Sequence, residues 1–133
     1  MRTLKTVKPL LVALSLSFAA PVLALAQPPA GVKDDVGYLL GFIAKSGCSF
    51  YRNGSWSDAK AAEAHVRMKY DYLSDRNEIN TARDFIEKAA SVSSFSGSPY
   101  QVKCPGSAPV LSRAWLSDEL ARHVGASDKI TTR

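Results

Sequence analysis

The sequence is poor in the residues that build metal and cofactor sites. Cys48 and Cys104 are its only cysteines, and His65 and His123 its only histidines. All four stand far apart, and no pair has the ligand spacing of a metal site. No metal and no other cofactor is expected. No run of lysines or arginines occurs, which removes the simplest nucleic-acid reading. No apolar stretch reaches the ~20 residues of a membrane-spanning helix. No serine stands in a Gly-x-Ser-x-Gly elbow. Internal repeats and low-complexity tracts are absent too.

What is present begins with an amino-terminal signal. Arg2, Lys5 and Lys8 form a basic start without an acid, 10–20 is apolar or small, and Ala24-Leu25-Ala26 has small residues at both cleavage positions. This pattern reads as a secretory signal peptide, 1–26, cut after Ala26. A membrane anchor is the other reading, but Pro21 interrupts a run that is already short. Three of the 17 basic residues and none of the 12 acids leave with the leader, so the formal charge falls from +5 to +2. A nearly neutral exported domain is not expected to bind nucleic acid, and after leader removal no membrane span is expected.

Export gives the cysteines a meaning. An even count in an oxidising compartment implies a disulfide, and two cysteines allow one intramolecular bond, Cys48–Cys104. Free thiols and an intermolecular link are the alternatives. Closing a loop of this size contributes about 4 kcal/mol in the chain-entropy picture.

The expected elements follow from apolar spacing. Val32, Val36, Leu39, Leu40 and Ile43 predict a helix over 32–46, with Gly37 and Gly41 leaving a strip where another helix could come close. Asn53-Gly54, between aromatic Tyr51 and Trp56, is a strong hairpin-turn signal. Ser55 or Ser57 would cap a second helix over 58–73, with Ala61, Ala62, His65, Met68 and Tyr72 inward. Thr81 and Asp84 form a capping-box variant before a third helix over 82–92. Ser91 to Cys104 is a run of hydroxyls ending in an extended piece, Tyr100 to Cys104. Ser112 caps a last helix over 113–124, Leu111 and Leu116 make a hydrophobic staple, and Gly125 ends the helix.

No strand run is long enough to build a sheet. The fold expected is therefore mainly α: a small bundle of about four short helices with an irregular or short-hairpin layer held by one disulfide. One domain spans 27–125, and 126–133 reads as a disordered tail.

CSFYRNGSW, His65 with Lys69-Tyr70, Thr81-Ala82 before Phe85-Ile86, SVSSFSGSPY with Cys104, and Trp115-Leu116 occur in this order. From Val36 to Leu120 the chain resembles the YfeK-like family of small exported bacterial proteins, a domain of unknown function. The resemblance implies export, one domain and paired cysteines. It assigns no activity to any residue.

The disulfide would bring two polar, aromatic segments together. The candidate binding residues are Arg52, Asn53, Trp56, Ser94, Ser96 and Tyr100. Each has a plain structural alternative: Asn53 builds a turn, Arg52 pairs with a carboxylate, and the serines meet the carbonyls of a helix end. His65 is a candidate general base only if a serine of 91–96 lies within hydrogen-bond reach. Lys69 reads as part of a solvated helical face. The function expected is a small exported, periplasmic or secreted, binding or accessory domain for an envelope protein, peptide or saccharide. A Ser/His hydrolase and a purely structural envelope protein are the alternatives.

Overall fold

The computed structural model describes residues 27–131. The expected leader, 1–26, lies outside the described residues. Pro28 and Pro29 lead into helix α1, Ala30–Lys45. Val36, Leu39, Leu40 and Ile43 recur on one face of this helix, and all four are buried. Gly37 and Gly41 admit no second helix, since nothing comes within 4 Å of where a Cβ on either would stand. Gly47, at φ +65°, lets the chain turn out of the helix.

Strands β1, Ser49–Arg52, and β2, Ser55–Ser57, pair antiparallel with Arg52 opposite Ser55. Asn53 and Gly54 join them at φ +47° and +89°. A two-residue turn of this kind needs positive φ at both positions, which Asn and Gly tolerate best. Helix α2, Ala59–Ser74, is capped by Asp58 rather than by Ser55 or Ser57: its carboxylate accepts from the Ala61 amide at 2.8 Å. The buried face of α2 is Ala59, Ala62 and Val66. Met68 and Tyr72, expected inward, are 61% and 56% exposed.

Helix α3, Ala82–Asp84, opens on the expected capping box. Thr81 Oγ accepts from the Asp84 amide, and the Asp84 carboxylate accepts from the Thr81 amide, each at 3.0 Å. The helix then widens into a π turn over Phe85–Ala89, whose Phe85, Ile86 and Ala89 are buried. Strands β3, Gln101–Lys103, and β4, Val110–Leu111, follow. Helix α4 runs over Ser112–Thr131. It begins at Ser112 itself, passes Gly125 and continues through most of the segment read as a tail. Leu116 is buried, whereas Leu111, its expected staple partner, is 50% exposed.

The four strands form one antiparallel sheet in the order β2-β1-β3-β4. This overturns the mainly-α expectation: the fold is mixed, four helices packed with a four-stranded sheet among the described residues. The strands are four, three, three and two residues long. Such pieces carry almost no period-2 pattern of their own. Non-local pairing makes the sheet, with Phe50 opposite Val102 across β1 and β3. One register step beyond the Ser49–Lys103 pair, the Cys48–Cys104 disulfide closes the same ladder.

Phe50 and Val102 turn inward from the sheet and are buried. They join a core with Leu39, Leu40, Ile43, Phe85 and Leu116. Trp115 of α4 fastens sheet to helices, stacking on Phe42 at 4.5 Å and meeting the edge of Phe50 at 5.7 Å between ring centroids. Alternation along β1 places Arg52 on the helix-facing side with Phe50, and Tyr51 on the outer face.

Candidate functional site

The 91–100 segment is held by its own hydroxyls. Ser93 is almost fully buried, and its hydroxyl accepts from the amides of Phe95 and Ser96, each at 3.2 Å. Its carbonyl accepts from Gly97, and its amide donates to Ser98. Gly97 sits at φ +71°, where a side chain would be strained. Ser91 donates its hydroxyl to the Ile86 carbonyl, which also accepts from the Ala90 amide at the end of the π turn. The serine run is thus mostly a closed hydrogen-bonded loop.

Tyr100 leaves that loop with its backbone pinned on both sides. Its amide donates to the Ser91 carbonyl at 2.8 Å, and its carbonyl accepts from the Ser112 amide at 3.0 Å. Its ring is buried, and its hydroxyl lies 3.2 Å from His65 Nε2. Lys69, one turn further along α2, reaches the same oxygen at 3.5 Å and donates to the Val92 carbonyl at 2.7 Å. The Lys69 ammonium also lies 5.2 Å from the centre of the Tyr100 ring. A protonated Lys69 has only hydrogens to give, so the Tyr100 hydroxyl hydrogen is free to point at a neutral His65.

Arg52, His65 and Tyr100 border a cleft of about 80 Å³. Its floor is apolar, made by Ile43, Phe50, Ala62, Val66 and Leu116. The electrostatics are one-sided. Burial, then Arg52 and then Lys69, push the His65 pKa below its ordinary value. Burial, then Arg52, lowers that of Lys69. Burial raises the Tyr100 hydroxyl, against a smaller opposing pull from Arg52. Among the described residues neither Arg52 nor Lys69 makes an ion pair. Glu63, the acid nearest His65 in sequence, is paired with Arg67 instead. Arg52 and His65 therefore border a small cleft whose lining holds no carboxylate, with Lys69 behind Tyr100.

The expected site residues separate into three places. Arg52 and Tyr100 come together with His65 at the cleft. Asn53 and Ser96 bond each other, Ser96 Oγ donating to Asn53 Oδ1 at 2.7 Å, while the Asn53 amide donates to Ser93 Oγ at 3.0 Å. Ser94 is exposed on the same loop. Trp56 lies on the outer face of the sheet, 46% exposed and tilted against Tyr51 at 5.3 Å between centroids. Phe95, at 98% exposure, projects from the serine loop next to the turn. The hydrogen-bond partner of His65 is a tyrosine, and no serine of 91–96 borders the cleft.

Sequence reasoning missed Lys69. Its four-residue spacing from His65 was the available signal, because it places both on one face of α2. Only the non-local arrival of Tyr100 shows that this face is covered. Among the described residues no group of three or more His, Cys, Asp or Glu side chains could hold a metal ion. No helix there is long and apolar enough to cross a membrane.

The fold and the cleft define a small, disulfide-bonded, mixed helix-and-sheet domain with a basic pocket. Residues 30–124 match the model of the family of unknown function DUF5329, and the chain belongs to that family. It is also similar to the uncharacterized protein YfeK of Salmonella typhimurium, 43% identical over 56 residues. That match covers 42% of this chain and 45% of YfeK, so the chain spans less than half the length of this relative. The expected YfeK-like resemblance is therefore borne out. No solved structure matches the chain.

Proposed function

We propose that this protein is a small binding domain exported to the bacterial periplasm or beyond, and that the Arg52–His65–Tyr100 cleft is its ligand site. One observation carries the reading. The Arg52 guanidinium borders the cleft without an ion pair, with the Lys69 ammonium close enough to oppose it and no carboxylate in the lining. Holding like charges together costs stability, and a fold does not need such an arrangement. A ligand of opposite charge would recover that cost. Exposed Trp56 on the outer face of the sheet and Phe95 on the serine loop offer separate apolar surface on which an envelope protein, peptide or saccharide could rest. The disulfide keeps the hairpin and the serine loop ordered before binding, which lowers the entropy lost in a complex.

The test has two arms. Mass spectrometry of the protein recovered from the periplasm should give the mass of a chain beginning at Gln27 and lacking two hydrogens. Immobilised wild type and Arg52→Ala should then be compared on an envelope extract. Loss of specific capture in the variant supports the reading, and identical profiles contradict it.

A further inference from the structure

The cleft sets one guanidinium beside a mostly apolar lining, and this restricts what fits. Arg52 supplies charged donors beside the hydrogen-bonded Tyr100–His65 pair, whereas Phe50, Ala62 and Val66 make the apolar part of the lining. An inorganic phosphate or sulfate carries oxygens on every side, and some would press unpaired on that apolar part. A carboxylate carries its charge at one end only. Its two oxygens match the fork of a guanidinium, and the carbon behind them can enter the apolar part. The volume, about 80 Å³, sets the length of that stem. An enclosed cavity of about 150 Å³ holds a benzene ring, so a cleft of about half that volume suits a few aliphatic carbons better than a buried aromatic ring.

We propose that the cleft binds a free carboxylate on a short aliphatic stem, with the carboxylate on Arg52 and the stem over Phe50 and Val66. The inference rests on the binding reading above and gives it a ligand class. Two sources share this chemistry: a small aliphatic acid, and the carboxyl terminus of a peptide ending in a small residue. Lys69 acts from behind Tyr100. It adds positive potential to the cleft and holds the tyrosine hydroxyl, without reaching the ligand.

The experiment is a titration of the mature, oxidised protein followed by amide NMR. The probes are butyrate, butyramide, inorganic phosphate, and the tripeptide Ala-Ala-Ala as free acid and as carboxamide. Butyrate and the free-acid peptide should saturate a common set of resonances around Arg52, His65 and Tyr100. The two amides should bind at least roughly tenfold more weakly, since a charge-assisted bond becomes a neutral one. Phosphate should cause no saturable shift there. Arg52→Met, at an exposed position, should retain the folded spectrum and weaken butyrate by roughly tenfold or more. A peptide acid that binds more tightly than butyrate identifies a chain terminus as the source; equal affinity identifies the small acid. Equal binding of acid and amide, saturation by phosphate, or unchanged butyrate affinity in Arg52→Met overturns the proposal. If carboxylates fail while envelope capture still depends on Arg52, the ligand class is wrong and the binding reading stands. If both fail, the site itself is wrong.

Discussion

The side-chain amide of Asn53 donates to the Ser93 hydroxyl over 3.0 Å, across 40 residues of sequence. This bond ties the hairpin turn to the serine loop, and Arg52 is the residue immediately before the tie. Asn53 is thus a structural residue that sets where the arginine emerges. Asn53→Ala should cost about 2 kcal/mol, combining strain at positive φ with lost side-chain bonds. Asn53→Gly keeps the turn and should cost about half as much. Urea denaturation of the three proteins gives the ranking, and equal stability of the alanine variant would contradict this role.

The Cys48–Cys104 bond closes the ladder between β1 and β3, strands that otherwise find each other across about half the chain. Reduction, or a Cys48→Ser/Cys104→Ser variant, should lower stability by about 4 kcal/mol in the chain-entropy picture. A small domain has little more than that in total, so the reduced protein should be largely unfolded or close to it at 37 °C. Thermal melts with and without reductant measure this, and superimposable curves would contradict it.

The capping box of α3 makes a pH-dependent contribution. The Asn80 amide holds the Asp84 carboxyl below its ordinary range, helped by Thr81 against a smaller effect of burial. A depressed carboxylate stabilises the fold above its unfolded pKa of 3.8, and that contribution is lost as pH falls through the lower folded value. Asp84→Asn should therefore flatten the acid limb of the stability profile below about pH 4. Thr81→Ala should cost about 1 kcal/mol at neutral pH.

Arg52 should behave as a residue kept for something other than folding. Arg52→Met removes a cation from a positive cluster and breaks no ion pair. Its stability should equal or slightly exceed that of wild type, by a few tenths of a kcal/mol. A loss above about 1 kcal/mol would give the arginine a structural role instead.

These elements also show what the sequence could and could not disclose. Local chemistry was legible. Asn53-Gly54 marked its turn, Thr81 with Asp84 marked its helix start, and Val36 to Ile43 marked their buried face. The cysteine pairing followed from parity and an expected leader. The sheet was not legible, because Val110-Leu111 becomes a strand only through Val102 and Gln101, which lie beside it in the fold. The buried face of α2 was read one step out of phase because Met68 and Tyr72 look like core residues but stay exposed. For the cleft, Arg52 and Tyr100 stood out by type. The absence of any acid near them is a property of three dimensions, so Lys69 could not be distinguished from a solvated lysine.

The titration of His65 tests the one-sided charge of the cleft most directly. Burial, Arg52 and Lys69 all oppose its protonation, so the pKa followed by imidazole NMR should lie below 6.5. Arg52→Met should raise it part of the way, with burial still holding it down. A histidine depressed on folding binds protons better when unfolded, so stability should fall as pH drops from about 6.5 towards the folded value. Saturating butyrate should raise the pKa by placing a negative charge nearby. A His65 pKa at or above 6.5 in the free protein, unmoved by Arg52→Met, would mean that an acid already balances the site and that the cleft is not waiting for an anion.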